Sequence, residues 1–301
     1  MESLLIPWVL LLLLMLTIYM LVKKKWLFSF ILFSIILILN YWSDCFCFGF
    51  KNLETGDLKI LSFNVNGGGE YDENKTESII NLIKKESPDL LFLTENFRPL
   101  EDSLYEKLRV QYTHDTRLLH HNLIYSKYPL YNIVFYKRLF SGSSYVVKCN
   151  TLVKGKELTI VGCHLSSNNY SKDLNYLTPG KVNSLSNIET YITNMSEALV
   201  LREMEVDSIL KDCADLERVI VMGDMNDVCG SPSMRKFSKS GFKDAWSKGG
   251  FGYGATIHHP LPYRIDHVLY NKGFRLNGIK KIDVNGISDH DALVAEFDIS
   301  K

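Results

Sequence analysis

The chain has 301 residues, 46% of them hydrophobic and 23% charged, with 34 basic and 34 acidic side chains. That length allows one large domain or two ordinary ones with a sizeable core, and the composition is that of a folded protein. Neutrality excludes the strong counterion-release attraction behind non-specific nucleic-acid binding, although a local basic groove stays open.

Residues 1–50 stand apart, because their apolar content falls in two runs separated by Lys23, Lys24 and Lys25. Leu4–Val22 carries no charge, and at about 1.5 Å rise per residue it can cross a hydrocarbon core of roughly 30 Å. Trp26–Trp42 is similar and ends in Tyr41 and Trp42, aromatics suited to a membrane interface. The two runs predict an N-terminal transmembrane hairpin and a bilayer as one partner. A cleaved signal peptide is the alternative, but no basic region precedes the first run and a second apolar run follows. The lysines place the turn in the cytoplasm by the positive-inside rule, which makes the chain a multi-pass membrane protein with an extracytoplasmic domain. The remainder, residues 51–301, is then a single folded domain. It stays near neutral, since the anchor removes only three lysines, Glu2 and Asp44.

Cys45, Cys47, Cys149, Cys163, Cys213 and Cys229 lack the paired spacing of a structural zinc site. Cys149 and Cys163 lie in apolar runs and read as buried free thiols, while a disulfide elsewhere in an outward domain stays open.

From Leu58 onward, short apolar runs alternate with helix-like stretches, predicting one α/β domain. The candidate strands are Leu58–Val65, Asp89–Thr94, Asn122–Ser126, Tyr145–Val153, Glu157–His164, Arg218–Gly223, Ile265–Asn271 and Ala292–Asp298. Thr76–Lys85 and Ser196–Leu210 carry apolar residues at helical spacing. Residues 166–194, polar and centred on Pro179 and Gly180, read as a long surface insertion.

Several strands end in side chains suited to metal or phosphate chemistry. Ser62-Phe63-Asn64-Val65-Asn66 closes the first, Leu93-Thr94-Glu95 the second, and Met222-Gly223-Asp224-Met225-Asn226 another, with Asp224 and Asn226 on one side by the two-residue period. Taken singly, each is an ordinary turn residue or solvated strand end. Arg264-Ile265-Asp266-His267 and Ser288-Asp289-His290 add two more sets near the C-terminus.

The ordered set Phe63-Asn64-Val65, Thr94-Glu95, His164-Leu165, Gly223-Asp224-Met225-Asn226, Arg264-Ile265-Asp266-His267 and Ser288-Asp289-His290 closely resembles the endonuclease/exonuclease/phosphatase superfamily. It spans about residues 58 to 298, leaving the anchor outside. The resemblance implies a four-layer α/β sandwich, two mixed sheets flanked by helices, with the active site at one end of the sheets. It further implies a metal-dependent phosphoesterase whose substrate is a nucleic acid, a phospholipid or another phosphoester. Glu95 would be the main ligand of Mg²⁺, a hard cation preferring carboxylate oxygens, with Mn²⁺ or Ca²⁺ as alternatives. Asn64 would orient Glu95 or the phosphate, and Asp289 would reach the metal directly or through water. Asp224 would deprotonate the attacking water, Asn226 would donate to a phosphate oxygen, and His290, oriented by Asp266, would stabilise the pentacovalent state. His164 would contact the phosphate or assist the leaving group. Asn66 stands where some nuclease branches carry Asp, which puts a second metal contact in doubt. His267 is expected to pack, His258 and His259 to be exposed turn residues, and Ser143, Ser144 and Tyr145 to form a polar strand entrance. A catalytically silent binding module on the same sandwich is the competing reading; its sign would be a lost ligand or water activator, and Glu95 and Asp224 are both present.

Overall fold

The computed structural model describes residues 2–49, 53–68, 72–117, 123–136, 144–167, 185–258, 261–284 and 286–300. Two apolar helices, α1 (Glu2–Val22) and α2 (Trp26–Ser43), pack as a hairpin, and both are long and apolar enough to cross a membrane. Thr17 and Ser29 are buried in it, and each hydroxyl donates to a carbonyl one turn earlier, Leu13 and Lys25.

Next come β1 (Cys47–Phe48), β2 (Leu58–Asn64), α3 (Glu73–Glu86), β3 (Leu90–Thr94), α4 (Leu100–Leu108), β4 (His114–Asp115) and β5 (Leu123–Ser126). The middle of the chain forms β6 (Leu130–Tyr136), β7 (Tyr145–Val153), β8 (Lys156–His164), α5 (Leu185–Cys213) and β9 (Val219–Asp224). The last part forms α6 (Pro232–Lys239), β10 (Lys243–Asp244), α7 (Ala245–Gly249), β11 (Phe251–Gly252), β12 (Asp266–Tyr270), β13 (Phe274–Ile282) and β14 (Ala292–Ile299).

Two six-stranded mixed sheets result, in the orders β13-β14-β2-β3-β5-β4 and β10-β12-β9-β8-β7-β6. They stack because their strands are apolar on both faces. In β2, Leu58 and Ile60 enter the core between the sheets while Leu61 and Phe63 enter the core outside, and β9 divides Ile220 and Met222 from Val219 and Val221 in the same way. On one outer face Ile79, Ile80 and Ile83 of α3 and Leu104 of α4 cover the first sheet. On the other, Val206 and Ile209 of α5 and Met234 and Phe237 of α6 cover the second. Helix, sheet, sheet and helix are the four layers. Between the sheets Phe92 fills space left by Gly162, where an added Cβ would lie 2.3 Å from its ring.

Besides the two-residue strands β1, β4, β10 and β11, two long strands escape the period-two reading. In β6 the pairing shifts between Tyr131 and Val134, and in β13 between Leu276 and Gly278; each bulge breaks the alternation that marks a strand. Helix α5 begins at Leu185, so the last third of the expected surface insertion is helical, with Leu185, Ile188, Ile192 and Met195 at helical spacing. Residues 168–184 with Pro179 and Gly180, and also Asn122, Ser143 and His259, lie outside the described residues.

The division at residues 50 and 51 is bridged by structure. Strand β1 pairs with β11, Cys47 lies in the inter-sheet core, and the fully buried Arg264 donates 2.9 Å to the Asp44 carbonyl. The segment after α2 is therefore built into the sandwich.

Candidate active site

Asn64, His164, Asp224 and Asp266 each continue the inward-facing row of a strand, after Ile60, Ile160, Met222 and before Val268 respectively. Register brings them together: His164 pairs with Asp224 across the parallel β8–β9 ladder, and Asp266 pairs with Asp224 across the antiparallel β12–β9 ladder. Asn64 and Thr94 are partners at the same end of the other sheet, so both sheets deliver polar side chains to one mouth of the inter-sheet layer.

Asp224 is the hub. Its Oδ2 accepts from Asn64 Nδ2 at 3.0 Å, its Oδ1 accepts from the Asn226 backbone N–H at 2.8 Å, and the Nε2 atoms of His164 and His290 both lie 3.8 Å from Oδ2. Asn64 Nδ2 also donates to Glu95 Oε1 at 3.1 Å, and the Asn66 N–H donates to Asn64 Oδ1, which fixes the amide orientation. Asn64 thus presents hydrogens to both carboxylates. Glu95 Oε1 lies 3.5 Å from His164 Nε2. His290 Nδ1 is 2.8 Å from Asp266 Oδ2, and its backbone N–H donates to Ser288 Oγ, which donates to the Asn64 carbonyl.

Burial sets the electrostatics, since Asp224, Asp266 and His290 are all at most 5% exposed. Burial and the neighbouring Asp266 carboxylate push the Asp224 carboxyl up. Burial opposes charge on His290, but Asp266 overrides it through its charge and hydrogen bond, so the imidazolium persists to about 10. Against its own burial, Asp266 is held below the usual carboxylate range by His290 and by hydrogen bonds from His290 and Thr256.

The turns that follow the strands are strained in one way. Asn66, Glu95 and Asn226 have φ of 44°, 51° and 49°, left-handed conformations that asparagine tolerates and glutamate rarely adopts. Gly67 stabilises the Glu95 turn by close approach: its N–H donates 2.8 Å to the Glu95 carbonyl, where a Cβ would lie 2.5 Å away. One amide hydrogen of Asn226 is given to the Leu165 carbonyl at 2.9 Å, leaving the second for a ligand. Asp289 is exposed at the rim and belongs to neither tight cluster of potential metal-binding groups, Glu95–His164–Asp224 and Asp224–Asp266–His290.

One residue near the site was not singled out by sequence. Lys75, on α3, donates to the Asn66 carbonyl at 2.8 Å, and burial lowers its pKa against the pull of the nearby Asp289, Asp72 and Glu95. A lone helical lysine carries no pattern that could reveal this. His267 is bound on both ring nitrogens, to Asp244 Oδ2 at 2.7 Å and the Asp227 carbonyl at 3.1 Å, and faces away from the cluster. His258 lies 2.8 Å from Asp291, whose side chain also binds Lys281.

A two-sheet sandwich with this carboxylate and histidine cluster at one end of its inner strands defines the fold of metal-dependent phosphoesterases. The chain belongs to the Endonuclease/Exonuclease/phosphatase family, whose profile matches residues 61–290. Similar solved structures include humanized D. rerio TDP2, at 15% identity and a TM-score of 0.61, covering 80% of this chain and 98% of that one. SmcL shares 14% identity at a TM-score of 0.58, covering 79% and 98%. The endonuclease/exonuclease/phosphatase from Bacteroides vulgatus shares 14% at 0.59, covering 81% and 99%. These likenesses carry the fold. No curated protein matches the sequence.

Proposed function

We propose that the chain is a membrane-anchored, Mg²⁺-dependent phosphoester hydrolase that works by direct attack of water. The observation that carries the reading is the convergence of Asn64, His164, Asp224, Asp266 and His290 from separate strands and loops on one buried mouth. The donor set fits a divalent cation: Glu95 is a carboxylate held by an amide and grouped with the Asp224 carboxylate and the His164 imidazole. Glu95 would hold the metal, with Asp289 reaching it from the rim and Asn64 positioning Glu95. When bound, the cation polarises the phosphoryl group and offsets charge that develops on it.

The chain's own groups supply the rest. Asp224 Oδ1 takes the Asn226 N–H and Oδ2 takes the Asn64 amide, which together aim the carboxylate, and the second lone pair of Oδ2 accepts the proton of the attacking water. His290, held by Asp266, keeps an Nε2–H as a charged donor toward an oxygen of the pentacovalent phosphoryl group, and the second amide hydrogen of Asn226 is another donor. His164, close to Glu95 and Asp224, contacts the phosphate on the other flank.

The hairpin anchors the domain and the lysine turn orients it outward. Anchoring and neutral charge favour a phospholipid headgroup over nucleic acid, while D. rerio TDP2 complexed with a single-strand DNA product keeps nucleic acid in contention. The test is a panel of single- and double-stranded DNA, RNA, sphingomyelin and phosphoinositides, each with Mg²⁺ and with chelator. Hydrolysis of at least one that stops in chelator is expected; inertness toward all, or full turnover in chelator, removes the reading. For orientation, protease protection of the domain until lysis would reverse the assignment.

A further inference from the structure

Three cysteines gather where the hairpin meets the sandwich, away from the phosphoesterase cluster. Cys45 follows α2, and Cys229 lies in the loop that leaves β9 after Asp224 and carries Asn226. They share one small apolar cluster with Leu10, and they are 1% and 7% exposed. The two segments touch along their backbones: a Cβ on Gly230, next to Cys229, would lie 3.1 Å from the Ser43 Cα. Cys45 and Cys229 are both buried free thiols within this packing. Cys47 is differently engaged, with its sulfur 3.4 Å from an Arg264 nitrogen. A cavity of about 360 Å³, lined by Ser43, Asp44, Cys229, Gly230 and Met234, reaches the Cys229 side of the pair.

We propose that Cys45 and Cys229 form a dithiol site that closes to a disulfide by exchange with a low-molecular-weight disulfide, stapling the segment after the hairpin to the loop that follows Asp224 and carries Asn226. Their packing brings the sulfurs together, and the cavity gives an oxidant access to one of them. Chemistry then assigns the order of events. The cavity reaches Cys229 and not Cys45, and the neighbouring Cys45 thiol and the Arg264 guanidinium hold the Cys229 thiol down against its burial while Cys45 is raised. Cys229 is the attacking thiolate. It displaces RS⁻ from RSSR and becomes a mixed disulfide, and the Cys45 proton passes to that RS⁻ as RSH. The Cys45 thiolate then attacks the Cys229 sulfur and releases the second RS⁻, which takes up the proton that Cys229 had lost to solvent. Two thiols are oxidised by two electrons and one RSSR is reduced to two RSH.

The test uses the full chain in membranes, equilibrated with oxidised glutathione, acid-quenched, denatured and alkylated. Two of the six thiols should vanish on oxidation and return with reductant, and a linked peptide pair should join the segment of Cys45 to that of Cys229. Trypsin leaves Cys45 and Cys47 on one peptide, so Cys47→Ser should keep the link. Cys45→Ser should trap Cys229 as its glutathione mixed disulfide. Persistence of all six thiols in excess oxidant, or a link to Cys47, would overturn the proposal, and the wild-type thiol count decides it even if a variant fails to fold.

Discussion

Asp266→Asn changes a carboxylate to an amide of nearly equal volume at a position 2% exposed. The carboxylate sits 2.8 Å from His290 Nδ1 and is the main reason that His290 keeps its proton to about 10. An amide oxygen turned toward Nδ1 retains a neutral hydrogen bond but no charge, so burial then acts almost unopposed and the imidazole loses its proton at lower pH. On the proposed role of His290, a charged donor toward the transition state becomes a neutral one. Removing one preorganised donor of this type costs about 10²- to 10³-fold in kcat, or about 2.7–4 kcal/mol. The assay is kcat on a soluble phosphodiester across the pH range, with thermal unfolding as a control for fold. A raised histidine pKa means that the active protonated form persists in alkali, so the wild type should hold its rate toward about 10 and Asp266→Asn should lose it earlier. A variant within about threefold of wild type, or one with an unmoved alkaline limb, would refute the dyad.

Glu95→Gln should raise the Mg²⁺ concentration needed for half-maximal rate while leaving the melting temperature almost unchanged; unaltered activation would reassign the ligand. Gly162→Ala should destabilise by about 1–3 kcal/mol, because its Cβ would meet the buried Phe92 ring at 2.3 Å. In a domain of this size each kcal/mol lowers Tm by about 2–4 °C, and an unchanged Tm would show that the sheets separate freely at that point. Burial opposes charge on His267, but Asp244 raises its pKa above 6.5, so the folded state binds the proton more tightly than the unfolded one. That contribution is complete below about 6.5 and fades as pH rises through the raised value; Asp244→Asn should flatten this part of the stability profile, and a parallel curve would reject the pair. A chain starting at Lys51 should unfold at lower denaturant than one starting at Asp44, because Arg264 loses its Asp44 acceptor and an orphaned buried donor costs about 1–3 kcal/mol. Equal midpoints would show that β1 is dispensable.

The strand ends were legible because both faces of the central strands are buried, which makes each strand a mostly apolar run with a polar group at one end, most plainly Asp224 after Val219–Gly223. Asn64, His164, Asp224 and Asp266 are all read this way, and the two-residue period already tells which face each one takes. Register was not legible. Nothing local says that β9 lies between β8 and β12, yet that order sets His164 and Asp266 on either side of Asp224. The same limit hides Lys75, a single helical cation, and the meeting of Cys45 with Cys229, which depends on where the hairpin docks.

Backbone conformation marks the deeper boundary between what residue types announce and what only the fold imposes. Asn66 and Asn226 take left-handed turns that asparagine favours, so their identity is itself a local signal. Glu95 takes the same turn without any such preference, and the fold must hold it there. The Gly67 N–H and the Phe97 N–H both donate to its carbonyl, while Asn64 fixes its carboxylate. A glutamate kept in a rare conformation by three donors is poorly explained by stability, because a glycine or asparagine would suit the turn better. It is well explained if the carboxylate must stand beside Asp224 and His164, where both sheets end and where a cation would meet the phosphate.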